Sequence, residues 1–257
     1  MDWVPQHFGD LKESAVSIDV SPSFAVGGAY YFGSLDRLSI RGEITYYRIY
    51  AADSDSNNSS RKDRNLSFTA SNIEANVTAV LSLFPESPSS PYARNISGRP
   101  YNVYGFLGVG VTTVNPTAEL NGTKYNLPDF NTELVEYSTL AVVVPVGLGL
   151  KYKLNSDLAV LLEIGYRVAL TDYLDDVSTT YPGQDAFGNR TAAALSDRGP
   201  EVGAEPKAAG VTRGNPADDQ YMIVSIKIEY LSLANLLGGG NPYDLKRTKK
   251  PRSRRPR

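Results

Sequence analysis

The chain has no cysteine, one histidine (His7), one tryptophan and two methionines among 257 residues. Without Cys there can be no disulfide, thiolate nucleophile or Cys-based metal centre, and the redox compartment stays undecided. With one His, a Ser-His-Asp arrangement has a single candidate imidazole and nothing in the sequence to orient it. No catalytic residue and no cofactor is therefore expected. Long apolar runs are also lacking: the longest, residues 140–150, contains Pro145, Gly147 and Gly149 and falls short of the about 20 residues a membrane-spanning helix needs. If the chain crosses a membrane, it does so with strands. Gly108 and Gly110 lie in no strand-to-helix phosphate loop and read as relief of crowding within a strand. A calcium loop from residue 53 fails, because Asn58 and Arg64 stand where an EF-hand needs Gly and Glu.

What the chain does have is alternation. Val224, Ile226, Ile228 and Tyr230 share one parity and Ser225, Lys227 and Glu229 the other. Leu162, Ile164, Tyr166, Val168 and Leu170 likewise alternate with Glu163, Gly165, Arg167, Ala169 and Thr171, a period of two that marks strands. Strands are expected at residues 2–9, 24–32, 38–50, 72–84, 101–115, 140–152, 159–171 and 220–230, the first of them weak and interrupted by Pro5. The connections alternate too. Residues 33–37 and 154–157 are tight polar turns, whereas 51–71, 115–137 and 173–219 are long and rich in Asp, Asn, Ser and Gly. Bacterial outer-membrane barrels place short turns in the periplasm and long loops outside. The Pro/Ser-rich connection at 85–100 is the exception, long where a short turn is expected.

Period two alone does not say which face points inward, since a soluble lipocalin-like barrel alternates in the same way. Three features favour the membrane form: a polar face dominated by small residues, Tyr near strand ends (Tyr152, Tyr230), and long loops gathered at one end. The expected fold is all-β: an eight-stranded antiparallel up-and-down transmembrane β-barrel over residues 1–232, with long extracellular loops. A disordered basic tail follows over 233–257. On the inward parity, Arg41, Lys151, Arg167 and Lys227 oppose Glu43, Glu74, Glu163 and Glu229. Such an interior can neutralise itself, and Glu163 and Lys227 are expected to meet directly opposite each other on the last two strands.

Residues 1–5 show no basic segment followed by an apolar stretch, so an exported barrel implies a late start or a trimmed sequence. At the other end, Lys246, Arg247, Lys249, Lys250, Arg252, Arg254, Arg255 and Arg257 place eight of the 26 Lys and Arg in the last twelve residues. The rest of the chain then holds 18 basic against 28 acidic residues, about −10 in net charge. A basic tail ordinarily reads as a nucleic-acid or anionic-surface contact, here with anionic headgroups, cell-wall polymers or an acidic protein face as partners. With an even strand number both termini lie in the periplasm, where nucleic acid is not the partner.

Phe8, Gly9, Asp10 and Leu11, then Arg64, Asn65, Leu66, Ser67 and Phe68, and above all Thr171, Asp172, Tyr173, Leu174, Asp175, Asp176, Val177 and Ser178 form an ordered set. Together with the Arg213-Gly-Asn215 stretch and Tyr221, this set resembles the PorG-like outer-membrane barrels of Bacteroidota over residues 8–230. The resemblance implies a non-enzymatic outer-membrane component of the type IX secretion and gliding machinery. Its partners would be outer-membrane lipid and the periplasmic ring built from a lipoprotein and its partner protein. The alternative is a barrel that admits or binds small solutes. Asp172, Asp175 and Asp176 read as turn caps first, with a divalent cation as the other possibility.

Overall fold

The computed structural model describes residues 23–32, 37–85, 99–155, 158–214 and 217–230. Among these residues nine strands occur in chain order: β1 (Phe24–Tyr31), β2 (Leu38–Ala52), β3 (Ser67–Ser82), β4 (Tyr101–Thr113), β5 (Pro116–Leu120), β6 (Thr123–Asn126), β7 (Leu140–Lys153), β8 (Leu158–Ala169) and β9 (Gln220–Tyr230). The seven long ones form one antiparallel sheet in the order β1-β2-β3-β4-β7-β8-β9, while the β5–β6 hairpin hangs from β3. The sheet is curled, because side chains from its first two strands reach its last. The Tyr31 hydroxyl donates to Glu229 at 2.6 Å, and Lys227 Nζ lies 2.6 Å from Glu43.

Eight strands were expected, and seven long ones stand in this sheet among the described residues. The strand expected at 2–9 lies outside the described residues, as do 33–36, 86–98, 156–157 and the whole tail. Registers place Leu38 opposite Leu81, Tyr101 opposite Tyr152 and Leu158 opposite Tyr230, so the strand ends that flank the two short turns and the 85–100 connection fall at one end together with the end of β9. The connections over 53–66, 114–139 and 170–219 all lie at the other.

The two faces are the reverse of a lipocalin-like barrel. Ile226, Ile228 and Leu148 on the outer face are 77%, 78% and 67% exposed, whereas Glu74, Lys151 and Glu163 on the inner face are 0–2% exposed. Inward glycines make room for large inward rings. A Cβ on Gly149 would overlap the Tyr104 ring, and one on Gly147 would come within 2.5 Å of the Phe106 ring. Pro145, which has no N–H to donate, sits where the β4–β7 ladder is interrupted, between Leu107↔Val146 and Gly110↔Val143.

Strand edges moved most in the loops. β2 runs on to Ala52 and β3 begins at Ser67, which shortens the first long loop to 53–66. The β5–β6 hairpin was not anticipated. Its turn is Asn121-Gly122, both at positive φ (52° and 77°), the type I′ signal for a two-residue hairpin.

Candidate functional site

Two polar assemblies are built on this sheet, one inside the curl and one over its long-loop end. Inside, Glu163 on β8 is the hub. It accepts both Nη groups of Arg41 from β2, the Tyr104 hydroxyl at 2.6 Å, and Lys227 Nζ at 2.7 Å. Lys227 also reaches Glu43, which accepts the Thr45 hydroxyl. Towards the short-turn end, Lys151 lies 2.7 Å from Glu229 and donates to the Tyr31 hydroxyl at 3.0 Å. Towards the long-loop end, Arg167 is 3.6 Å from Glu74, which accepts the Tyr221 hydroxyl and the Asn76 amide, each at 2.7 Å. The Tyr221 ring stacks on Tyr47 at 5.0 Å.

All eight charged residues singled out on the inward parity thus sit in ion pairs, joined by the hydroxyls of Tyr31, Tyr104 and Tyr221, which the charge pattern did not single out. The expected geometry of one pair needs correction. Lys227 is opposite Leu161 and Glu163 opposite Ser225, so the two meet diagonally, which lets Lys227 span Glu163 and Glu43 together. Charges removed from water are tolerated when paired and hydrogen-bonded; every charge here is paired, while the buried Nε atoms of Arg41 and Arg167 make no hydrogen bond among the described residues.

Over the long-loop end, three loops are tied by two arginines. In the first loop, α1 (Ser59–Arg64) is capped by the Asn58 side chain and closed by Asn65 in the left-handed region, φ 56°. Arg64 grips both oxygens of Asp53 at 2.6 and 2.7 Å and donates to the Arg213 carbonyl at 2.6 Å. Asp53 also accepts the Leu66 N–H at 3.0 Å. Arg213, buried in the third loop, meets Glu133 of the second loop at 2.9 Å and donates to the Asp176 and Ser196 carbonyls. Glu133 further accepts the N–H of Ser178 and of Thr179 and the Thr179 hydroxyl. Burial alone would raise this carboxyl; the bonds from Thr179, Ser178 and Arg213 outweigh it and hold the group below its ordinary range. Asp176, at φ 67°, accepts the hydroxyls of Thr132 and Tyr137, and Tyr137 stacks on Tyr173 at 4.5 Å.

Within the set that carries the resemblance, the stretches Arg64–Phe68 and Thr171–Ser178 and Arg213 lie in this cap, while Tyr221 belongs to the interior assembly. Ser67 accepts from Arg198, and Phe68 packs against a cluster of Ala118, Leu120, Leu127 and Leu195 from the hairpin, the second loop and α2 (Arg190–Ser196). Leu174 is buried beneath the cap, and Asp175 accepts the Val177 N–H at 2.9 Å as a turn cap does. Among the described residues no three His, Cys, Asp or Glu side chains converge as metal ligands. His7, Phe8, Gly9, Asp10, Leu11, Asn215 and the basic tail lie outside the described residues. Sequence reasoning missed Glu133 and Asp53. Glu133 pairs with an arginine 80 positions away, and no local pattern announces such a contact.

Neither a curated protein nor a solved structure matches the chain. A family model described as a domain of unknown function, DUF6089, matches residues 7–196, a stretch that includes the Arg64–Phe68 and Thr171–Ser178 positions of the cap. The match spans well over half of the chain, which belongs to the DUF6089 family.

Proposed function

We propose that the protein is a non-enzymatic outer-membrane β-barrel that anchors the periplasmic ring of a type IX secretion machinery. The observation that carries the membrane part is the inverted pair of faces, apolar and exposed outside, ion-paired and buried inside. Covering a fully exposed Val, Leu or Ile side chain is worth about 1.5–3 kcal/mol, and a lipid bilayer covers the outer band at one stroke. Strand parity supports closure by an eighth strand. β1 and β9 are the first and last of seven alternating strands and run in the same direction, and each pairs on one edge alone among the described residues. One further antiparallel strand between them completes an all-antiparallel barrel, and residues 2–9 are the segment proposed for it. Both termini then lie at the short-turn end, in the periplasm.

The anchor role rests on the resemblance to PorG-like barrels and on the crowded, self-neutralising interior, which favours a plug over a channel. The partner surface proposed is the short-turn end, including residues 85–100 and the basic tail. Cross-linking in cells followed by identification of co-purified proteins tests this. The expected result is recovery of periplasmic ring proteins, lost on deletion of 246–257 and weakened by salt, because the Debye length falls from about 10 Å at 0.1 M to about 3 Å at 1 M. Undiminished recovery from that deletion and from a shortened 85–100 connection would overturn the placement. Stable unit conductance in planar bilayers would favour a solute pore instead.

A further inference from the structure

The outer face carries a trough that runs across the strands from β1 to β7. One wall is the row Val26, Ile44, Ala75, Val111 and Val142, which lie directly opposite one another on successive strands. The next outward row towards the short-turn end, Gly42, Val77 and Val109, forms the other wall, and Gly42 leaves that wall low on β2. The trough measures about 670 Å³. It crosses four strand spacings, about 19 Å at about 4.8 Å each, a length comparable to an extended fatty-acyl chain. Near it stands Arg48, the one charged side chain of outward parity among the described residues of the seven long strands. Arg48 lies four residues beyond Ile44 towards the long loops, about 13 Å along β2 at about 3.3 Å per residue. It is exposed between Tyr46 and Tyr50 on the same face and opposite Ser71, and no hydrogen bond or ion pair engages it among the described residues. A lone cation on an otherwise apolar face calls for an anion at that height, and a guanidinium binds phosphate through two parallel N–H bonds.

We propose that the trough and Arg48 together form a lipid site, in which an acyl chain lies between the two rows and the phosphate of that lipid's headgroup rests on Arg48. The ligand class is a phosphate-bearing acyl lipid of the outer leaflet. Charge complementarity selects it over a neutral lipid, and the apolar walls select it over a free anion. The site rests on the membrane reading of the outer face. A charge deep in a bilayer is costly, whereas aromatic rings such as those of Tyr46 and Tyr50 collect at headgroup level, the depth at which a lipid phosphate is found.

The test is native mass spectrometry of the full-length chain in a non-ionic detergent, titrated with monophosphoryl lipid A or with the same lipid stripped of its phosphate, which counts bound lipid and chain copies together. The parent should bind the phosphorylated lipid about fivefold more tightly, the effect of one cation facing an anionic headgroup. Arg48→Gln should erase that preference while both lipids still bind. Gly42→Leu, at a position where a Cβ meets nothing within 4 Å, fills the trough and should lower the binding of both. Equal binding of the two lipids by the parent, a preference that survives Arg48→Gln, or undiminished binding by Gly42→Leu overturns the proposal. So does displacement of the lipid by millimolar inorganic phosphate, which would mark a free-anion site, or a dimer that Gly42→Leu disperses, which would put a second copy in the trough. Oxygen collision with a spin label at Ile226→Cys, outside the trough, tests the membrane reading separately; lipid contact there alongside any of those results removes this site alone.

Discussion

Replacing Glu163 by Gln keeps the side-chain volume and an acceptor for Tyr104, but removes the charge that Arg41 and Lys227 share. Glu163 is 2% exposed, and the side chains of its partners are 12% and 18% exposed. Breaking a buried pair by deleting one partner costs about 3–5 kcal/mol, because the other charge is left uncompensated. Lys227 retains Glu43 at 2.6 Å, so the cost falls mainly on Arg41, and about 3 kcal/mol is expected. Lys227→Met should cost less, about 2 kcal/mol, since Glu163 keeps Arg41 and the lysine is partly wet. The double variant should cost clearly less than the sum of the two, as residues in one network couple. Urea unfolding in detergent or lipid reads this directly. With a slope of about 2 kcal/mol/M, Glu163→Gln should lower the midpoint by about 1.5 M. A midpoint within about 0.2 M of the parent for both single variants would refute the reasoning and mean that the interior is hydrated.

Three further outcomes follow from the same geometry. Gly149→Ala forces a Cβ into the Tyr104 ring and should cost about 1–3 kcal/mol by overpacking, measured in the same unfolding assay; Gly42→Ala, where nothing lies within 4 Å, should be nearly neutral. Arg213→Met removes the tie between the second and third loops and should raise amide exchange in residues 131–139 and 171–179, with strand amides in β8 unaffected. Ile226→Arg, on the outer face of β9, should destabilise the lipid-inserted protein by about 2–4 kcal/mol, the range for a cation near the bilayer midplane.

Much of the sheet was legible because alternation needs no partner to be seen. Val224 to Tyr230 and Leu162 to Leu170 announce their faces by parity, and β9 (Gln220–Tyr230) covers the span expected for it, 220–230. Parity also assigned Arg41, Glu43, Glu163 and Lys227 to one face, but the partners depend on register, and register depends on turns whose lengths the sequence brackets only loosely. Hence the diagonal rather than direct meeting of Glu163 and Lys227. Asn121-Gly122 was a readable hairpin signal, overlooked because the surrounding segment is polar. The cap was least legible. Arg64, Asp53, Glu133, Asp176 and Arg213 come from three loops, and each loop read alone is a polar connection.

The central claim is that the outer face of this sheet meets lipid. Because the chain contains no cysteine, single spin labels can be placed cleanly at Ile226→Cys and, as the inward neighbour, Ser225→Cys. In vesicles, collision rates with oxygen, which concentrates in the bilayer core, and with a water-soluble nickel chelate should separate the two sites. The account predicts high oxygen and low nickel accessibility at position 226, and low accessibility to both at 225. High nickel accessibility at 226, or oxygen accessibility greater at 225 than at 226, would contradict it.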